Sequence, residues 1–303
     1  MSPAKRFVTF EDQVELLRTR GMRIENSDHA KHVLARLNYY RLSGYWYPMR
    51  RYDYATGTRC DDFVEGASFD LVVRLYEFDE RLRHDVFMEL DRVEMAIRTM
   101  LGYELGRFDP FAYLDAKRLK IPAQDPEKGW EHDTWLGNYQ DALERSKEVF
   151  VTHHNEKYGG ELPIWAAVEV MDWGMLSHLF GVSPDIVRNR IAKQCALDAS
   201  QLESWLYSLN VVRNLAAHHA RMFNRRYDVK PKLSDDQRLN SGAWKRDSTF
   251  GLLSLIQYLH RQLDLSPAKR LPALLNTYPD NTVVRLGSTG APPDWSDLPL
   301  WKC

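Results

Sequence analysis

Three residues near the end of a predicted helix have side chains suited to cutting RNA without a metal ion. These are Arg213, Asn214 and His218. Histidine has an ordinary pKa of about 6.5, so it can accept the ribose 2′-OH proton or protonate the leaving 5′-oxygen. Arginine can hold the phosphate through two hydrogen bonds and stabilise the charge that develops during cleavage. An asparagine one turn before the histidine can orient the imidazole or the phosphate.

The periodicity of residues 199–226 predicts a helix that presents these side chains in one row. Its apolar residues form a core face, whereas its polar residues fall on the opposite side. Arg213 lies between the two faces, and His219 lies at the edge of the apolar stripe. The polar row, with Tyr207 beside it, contains Asn210, Asn214, His218, Arg221 and Arg225.

Positive charge is concentrated in the same segment. The whole chain has 41 basic and 42 acidic residues, a net charge of −1. Residues 213–232 nevertheless contain six basic side chains and a single acid, Asp228. Such a cluster is typical of phosphate binding. We therefore predict RNA contacts from Tyr207, Asn210, Arg221, Arg225 and Arg226. A solvated helix face also carries such residues by chance, so the pattern by itself leaves both interpretations open.

A second candidate RNA-binding segment is rich in tyrosine and tryptophan. Residues 38–54 interleave seven aromatic side chains with arginines. Aromatic rings next to arginines can stack single-stranded bases, and we name Arg41, Trp46, Arg50 and Arg51 as candidate contacts. The alternative is packing in a core or an interface, with the tyrosine hydroxyls hydrogen-bonded.

Other candidate residues point to supporting roles. Glu94 and Arg98 are spaced to pair along a helix, either as an ordinary salt bridge or as residues that orient the site. His153 and His154 are adjacent, so on a helix they point in different directions, and no further metal ligand lies at a suitable spacing. A glycine-rich phosphate loop is missing from the sequence. We predict no metal and no cofactor.

Composition excludes several classes of protein. The chain has 303 residues and is 44% hydrophobic and 27% charged, which is ordinary for a globular protein and too apolar for a disordered one. No apolar run approaches the length of about 18 residues that a membrane helix needs. The N-terminal residues do not resemble a secretory signal, and the three cysteines are far apart. We expect a cytoplasmic protein.

The elements that must position the candidate site are almost entirely helical. Apolar residues recur at steps of three or four from Ser68 to Arg107, which predicts one long helix or two helices nearly in line. Further helices are predicted at 134–152, 163–181, 184–196, 199–224 and 245–263, and residues 120–133 as a loop. Residues 44–66 are compatible with a short hairpin. The predicted fold class is all-α.

We expect one helical domain over residues 1–265. Its N-terminal helices and aromatic segment would occupy 1–67, and a helical bundle 68–265. Repeated prolines predict an irregular tail over 266–303, which Trp295 and Trp301 are suited to anchor.

Four segments resemble the Abi family of bacterial abortive-infection proteins, described as relatives of HEPN ribonucleases. They are LNYYRLSGYWYPMR at 37–50, LDRVEMAIRTML at 90–101, FAYLD at 111–115 and RNLAAHHARMFNR at 213–225. RNLAAH is similar to the RNxxxH motif of HEPN enzymes. The resemblance covers about residues 10–230.

The resemblance implies a HEPN-like helical bundle that forms a homodimer with a composite ribonuclease site. On the matching positions, His218 is the acid or base, Arg213 the phosphate anchor and Asn214 the orienting amide. His219 also fits a looser form of the motif, although its place at the core edge favours His218.

Two functions in different classes follow. The first is a metal-independent RNA endonuclease that acts as a toxin-like effector of antiphage defence. The alternative is a non-catalytic RNA-binding protein held in complex with a structured RNA. A third possibility is a helical bundle that binds only other proteins.

Overall fold

The computed structural model describes residues 6–120, 126–240 and 244–302. Within these ranges the chain forms thirteen α-helices and one two-stranded sheet. The all-α prediction is confirmed. None of the helices in the described ranges is both long enough and apolar enough to cross a membrane.

The N-terminal part is a small layer of three helices and a hairpin with its own core. The helices are α1 (Phe10–Thr19), α2 (Ser27–Leu37) and α3 (Tyr39–Trp46), and the antiparallel strands are β1 (Arg50–Asp53) and β2 (Thr58–Phe63). The side chains of Thr9 and Asn26 cap the first two helices, as their residue types predict. Leu17, Leu34 and Trp46 lie at the centre of this core.

A single helix of 40 residues, α4 (Phe69–Phe108), runs through the whole molecule. Ser68 caps it by accepting a hydrogen bond from the N–H of Leu71. Its apolar stripe, predicted from the spacing, is buried from Phe69 to Leu105 and packs against both cores. Helices from the N-terminal, middle and C-terminal parts of the described chain pack against this helix.

The middle of the chain forms five helices with more breaks than predicted. They are α5 (Pro126–Arg145), α6 (Val149–Lys157), α7 (Ile164–Ala167), α8 (Trp173–Val182) and α9 (Asp185–Gln194). The predicted helix at 163–181 is broken because Asp172 starts a new helix by capping the N–H of Met175. The predicted loop at 120–133 is wrong over residues 126–133, which are helical; residues 121–125 lie outside the described ranges.

The helix that carries the candidate motif, α10 (Ala199–Ala217), packs against α4, α8 and α9. Asp198 and Gln201 form a reciprocal capping box at its start. Its end lies well before residue 224, so the predicted length is wrong. The backbone turns away at His219, which has a φ of 55°.

The C-terminal part places one helix in the centre of the core. It contains α11 (Gln237–Asn240), α12 (Thr249–Gln262) and α13 (Arg270–Leu275). All of α12 up to His260 is buried, as expected for a helix that neighbours surround. Trp301 stacks on Phe250 with ring centroids 4.8 Å apart, and Trp295 meets Trp301 edge to face. Both tail tryptophans are anchored as predicted. The tail is not irregular throughout, because α13 lies within the segment 266–303 that was predicted to be irregular. The division of the chain into domains stays a prediction.

Candidate functional site

The motif residues lie at the exposed C-terminal end of α10. Asn214 and His218 are exposed one turn apart, and the N–H of His218 donates to the carbonyl of Asn214 over 3.0 Å. Arg213 is half-buried, with its guanidinium carbon 5.4 Å from the centroid of the Phe87 ring. Its Nη1 lies 3.4 Å from the side-chain oxygen of Asn214. The site is therefore accessible, and its arginine is held by an aromatic ring.

A Schellman turn closes the helix directly after the motif. The N–H of Ala220 donates to the carbonyl of Leu215, and the N–H of His219 donates to the carbonyl of Ala216. His219 occupies the left-handed position that glycine usually fills in this turn. Its side chain is exposed, so the predicted position at the core edge is wrong. The turn fixes the backbone on which His218 sits.

A buried carboxylate holds the segment that follows this turn. Asp79 of α4 is fully buried and accepts hydrogen bonds from the backbone N–H groups of Met222 and Phe223. The hydroxyl of Tyr45 and the guanidinium of Arg83 also donate to it, each over 2.6 Å. Burial raises the pKa of the Asp79 carboxyl, an effect opposed by the Tyr45 hydrogen bond and the charge of Arg83. The chain after the motif is thus tied to the N-terminal third of α4.

The helix α3 supports the same turn from the other side. Nη1 of Arg41 donates to the backbone carbonyl of His219 over 2.8 Å. A Cβ atom added to Gly44 would lie 2.7 Å from Nε of Arg221. Arg221 itself donates to the carbonyls of Phe223 and Asn224. The predicted RNA contact at Arg41 is therefore a residue that braces the motif turn in this structure.

The arginines after the motif do not continue the polar row of α10, because the helix has already ended. Arg225 donates to the carbonyl of Arg221 and packs over the ring of Tyr227. Arg226 pairs with Asp247 over 2.7 Å. The prediction that Arg221 and Arg225 share a helix face with His218 is wrong, although all three arginines stay close to the motif along the chain.

The first half of the polar row lines a groove between α8 and α10, the α8–α10 groove. Tyr207 and Asn210 line it together with Lys120 and Lys232, and its volume is about 740 Å³. The ring of Tyr207 is exposed. Two cations, an aromatic ring and an amide therefore share one cavity on the helix that ends at His218.

The aromatic segment divides between core and surface. Trp46 has no exposed area, so it cannot stack on a base, and the prediction of an RNA contact there is corrected. Arg50 and Arg51 lie on the hairpin, where they pair with Asp61 and Asp62 over 3.0 and 3.6 Å. Arg51 is exposed, whereas Arg50 is half-buried, and both lie on a different element from the motif.

Glu94 and Arg98 form a structural ion pair on α4. Their side chains are 2.7 Å apart and largely buried. Arg98 also donates to the backbone carbonyls of Val168 and Met171, which follow the short α7. The pair therefore fixes the chain between α7 and α8, and none of its described contacts is to a motif residue.

The sequence analysis did not identify a cavity, the 230–247 cavity, in which three basic side chains and Asp247 come together. It measures about 440 Å³ and is lined by Lys230, Trp244, Lys245 and Arg246 among others. The basic cluster at 213–232 pointed to one side of this cavity, because it includes Lys230. The other side, Trp244–Arg246, comes next to it only in the folded chain. Across the residues described, no group of histidine, cysteine and carboxylate side chains is arranged to hold a metal ion.

Comparison with known proteins gives the class of this chain. The sequence profile of the Abi-like protein family matches residues 32–224, which include Arg41, Asp79 and the whole motif. The chain belongs to the Abi-like protein family. Neither the curated proteins nor the solved structures contain a significant match.

Proposed function

We propose that this protein is a metal-independent RNA endonuclease of the HEPN type and an effector of abortive-infection defence against phage. The observation that carries the proposal is the arrangement of exposed Asn214 and His218 beside half-buried Arg213 on a helix end that is fixed from both sides. Membership of the Abi-like family supports the role in defence. Because RNA supplies its own 2′-OH nucleophile, the reaction needs neither a cofactor nor a metal.

Each motif residue has a specific role in this reaction. His218 transfers the proton, as a base toward the 2′-OH or as an acid toward the 5′-oxygen. Arg213 binds the phosphate and stabilises its developing charge, and its stacking on Phe87 limits the orientations of the guanidinium. Asn214 orients the phosphate or the imidazole. The products are a 2′,3′-cyclic phosphate and a 5′-OH.

A homodimer supplies the second catalytic group. The reaction requires one group that removes a proton and another that donates one, whereas a single chain presents one RNxxxH motif. Two motif helices that meet across a two-fold axis provide both groups. We propose this composite site as the active form.

The α8–α10 groove gives a path for the RNA strand. Tyr207 offers a ring for base stacking, and Lys232 offers positive charge for phosphates. Lys120 is paired with Asp185 over 2.6 Å, and Glu203, which also lines the groove, is paired with Arg188. Residue 207 lies eleven positions before His218, which is about 16 Å along a helix. An RNA strand in the groove therefore reaches the motif within a few nucleotides.

Cleavage of total RNA in EDTA tests the proposal. Wild-type protein is expected to produce fragments with 2′,3′-cyclic phosphate and 5′-OH ends. Arg213→Ala should cut about 100-fold to 1,000-fold more slowly, the usual effect of losing a donor to developing charge. Arg81→Ala, which removes an exposed arginine of α4, is the matched control and should cut normally. Cleavage that requires a divalent metal, or that Arg213→Ala leaves unchanged, would overturn the proposal.

A non-catalytic RNA-binding function is the second candidate. The 230–247 cavity favours it, because lysines, an arginine and Trp244 line a surface that contains no motif residue. This function predicts tight, salt-sensitive binding of a structured RNA with no cleavage. RNA that co-purifies with the protein and stays intact in EDTA and in magnesium would support it over the nuclease.

A further inference from the structure

A large groove lies away from the motif helix, in the N-terminal layer. It is a groove of about 960 Å³, the N-terminal groove, between the extended segment before α1, α1 itself and the junction of α2 with α3. Binding sites for ligands and peptide side chains commonly have volumes of this order. The proposed nuclease function makes no use of it.

The walls of the groove are apolar and include large exposed side chains. Phe7 is 92% exposed and Tyr40 is 67% exposed, and Phe10 and Leu16 of α1 are also exposed. Leu34 closes the groove from α2. Contiguous apolar surface of this kind is uncommon on a protein that binds no partner.

The charged groups of the groove all have the same sign. Three arginines, Arg6, Arg20 and Arg36, line it, and no carboxylate does. Arg20 is paired with Asp61 over 2.6 Å. Within the ranges that the structure describes, Arg6 and Arg36 form no ion pair, and both are exposed. Because the whole chain is nearly neutral, this is a local excess of positive charge in an apolar setting.

We propose that the N-terminal groove docks an acidic segment of a partner protein, with carboxylates facing Arg6 and Arg36 and large apolar side chains between Phe10 and Leu34. Val8, Leu16 and Leu34 add aliphatic surface to the rings of Phe7, Phe10 and Tyr40, and such a mixed apolar surface suits the branched and aromatic side chains of a peptide. Charge complementarity then selects an acidic partner over a basic one.

The groove is connected to the motif turn through α3. Tyr40 lines the groove, and the next residue, Arg41, donates to the carbonyl of His219. A segment bound in the groove therefore contacts the helix that braces the end of α10. The docking proposal itself does not rest on the nuclease proposal.

Selection from a random peptide library on the full chain tests the docking site. We expect enrichment of peptides that combine Asp or Glu with Phe, Leu or Trp. Fluorescence anisotropy with a synthetic copy of an enriched peptide should show about tenfold weaker binding to the Arg36→Glu and Phe10→Ser variants than to wild type. Lys193→Glu, a charge reversal on the exposed face of α9, is the control and should bind like wild type.

Three results would overturn the proposal. The first is that no peptides are enriched, and the second is that the enriched peptides are not acidic. The third is that the enriched peptides bind the Arg36→Glu and Phe10→Ser variants as tightly as they bind wild type. A labelled oligouridine probe, measured on the same variants, covers the alternative occupant: loss of its binding in Arg36→Glu with no enriched peptide would assign the groove to RNA. Circular dichroism of each variant confirms that the fold is kept.

Discussion

The carboxylate of Asp79 accepts a hydrogen bond of 2.6 Å from the backbone N–H of Phe223, which joins the N-terminal third of α4 to the segment that follows the motif helix. The two residues are 144 positions apart in the sequence. Tyr45 donates to the same carboxylate, so α3, α4 and the segment after α10 meet at one buried group. The orientation of the motif turn therefore depends on residues that do not touch the proposed substrate.

Removing this carboxylate should destabilise the whole fold. Asp79→Ala leaves Arg83 as a buried charge without its partner and two backbone N–H groups without an acceptor. Loss of one member of a buried ion pair typically costs about 3–5 kcal/mol. Urea unfolding measures the change. Glu80→Ala, at the neighbouring exposed position, should alter the free energy of unfolding by less than about 0.5 kcal/mol. If Asp79→Ala lowered the free energy of unfolding as little as Glu80→Ala, the hydrogen bonds to Asp79 would not have the stabilising role described.

Gly44 should resist replacement even though it lies inside a helix. Alanine normally stabilises a helix interior by about 1 kcal/mol relative to glycine. At Gly44, however, the new Cβ would meet Arg221, and overpacking of this kind costs about 1–3 kcal/mol. Gly137→Ala in α5 is the matched control, since no atom lies within 4 Å of its added Cβ.

We therefore expect thermal unfolding to show a lower melting temperature for Gly44→Ala and an equal or higher one for Gly137→Ala. In a protein that also carries Arg221→Ala, Gly44→Ala should cause much less loss of stability. A double-mutant cycle of the two substitutions measures this difference. Equal stabilisation by alanine at both glycines would show that Arg221 does not restrict Gly44.

The turn after the motif predicts an unusual stabilising substitution. His219 holds a left-handed conformation that costs a residue with a side chain about 1–2 kcal/mol, part of which glycine recovers. His219→Gly should therefore raise the free energy of unfolding by about 0.5–1 kcal/mol. His219→Val should lower it, because a β-branched residue is least tolerated there. Chemical denaturation of both variants measures these changes. A His219→Gly protein that is less stable than wild type would contradict the left-handed conformation of residue 219.

Stability should fall as the solution becomes acidic, in part because of His132. Burial lowers the pKa of this imidazole below its ordinary value of about 6.5. At a pH below about 6.5 the histidine of the unfolded chain binds a proton, whereas the buried histidine of the folded chain stays neutral. The free energy of unfolding therefore decreases as the pH falls from 6.5 toward the lower pKa of the folded state. One such group contributes at most about 1.4 kcal/mol per pH unit.

Thermal melts between pH 7.5 and 5.5 give the test. His132→Gln should show a smaller loss of stability over this range than wild type. His153→Gln, which changes an exposed histidine of α6, should follow the wild-type dependence. Parallel profiles for wild type and His132→Gln would exclude His132 as a source of the acid sensitivity.

The sequence predicted those features that local patterns determine. The stripe of α4 and the hairpin after α3 both follow from nearby residues. The end of α10 could not be read in this way, because a histidine instead of a glycine occupies the left-handed position. The helical spacing of apolar and polar residues continues past residue 217 in the sequence, although the helix itself ends there.

Long-range contacts account for the other differences. Asp79 interrupts the apolar stripe of α4 with a carboxylate that has Arg83 four positions later, but its backbone partners are distant in sequence. Trp46 and Arg50 looked equally suited to RNA binding, and only tertiary packing separates the fully buried ring from the half-buried arginine that pairs with Asp61. Which residues of a mixed aromatic and basic segment face the solvent is decided by tertiary contacts.

The measurement that tests the central claim most directly is RNA cleavage in EDTA by two histidine variants. His218→Ala should cut about 100-fold to 10,000-fold more slowly than wild type, the usual contribution of a general acid or base. His219→Gly should keep near wild-type activity, because residue 219 contributes its backbone conformation to the turn. Undiminished cleavage by His218→Ala would contradict the proposed catalytic site.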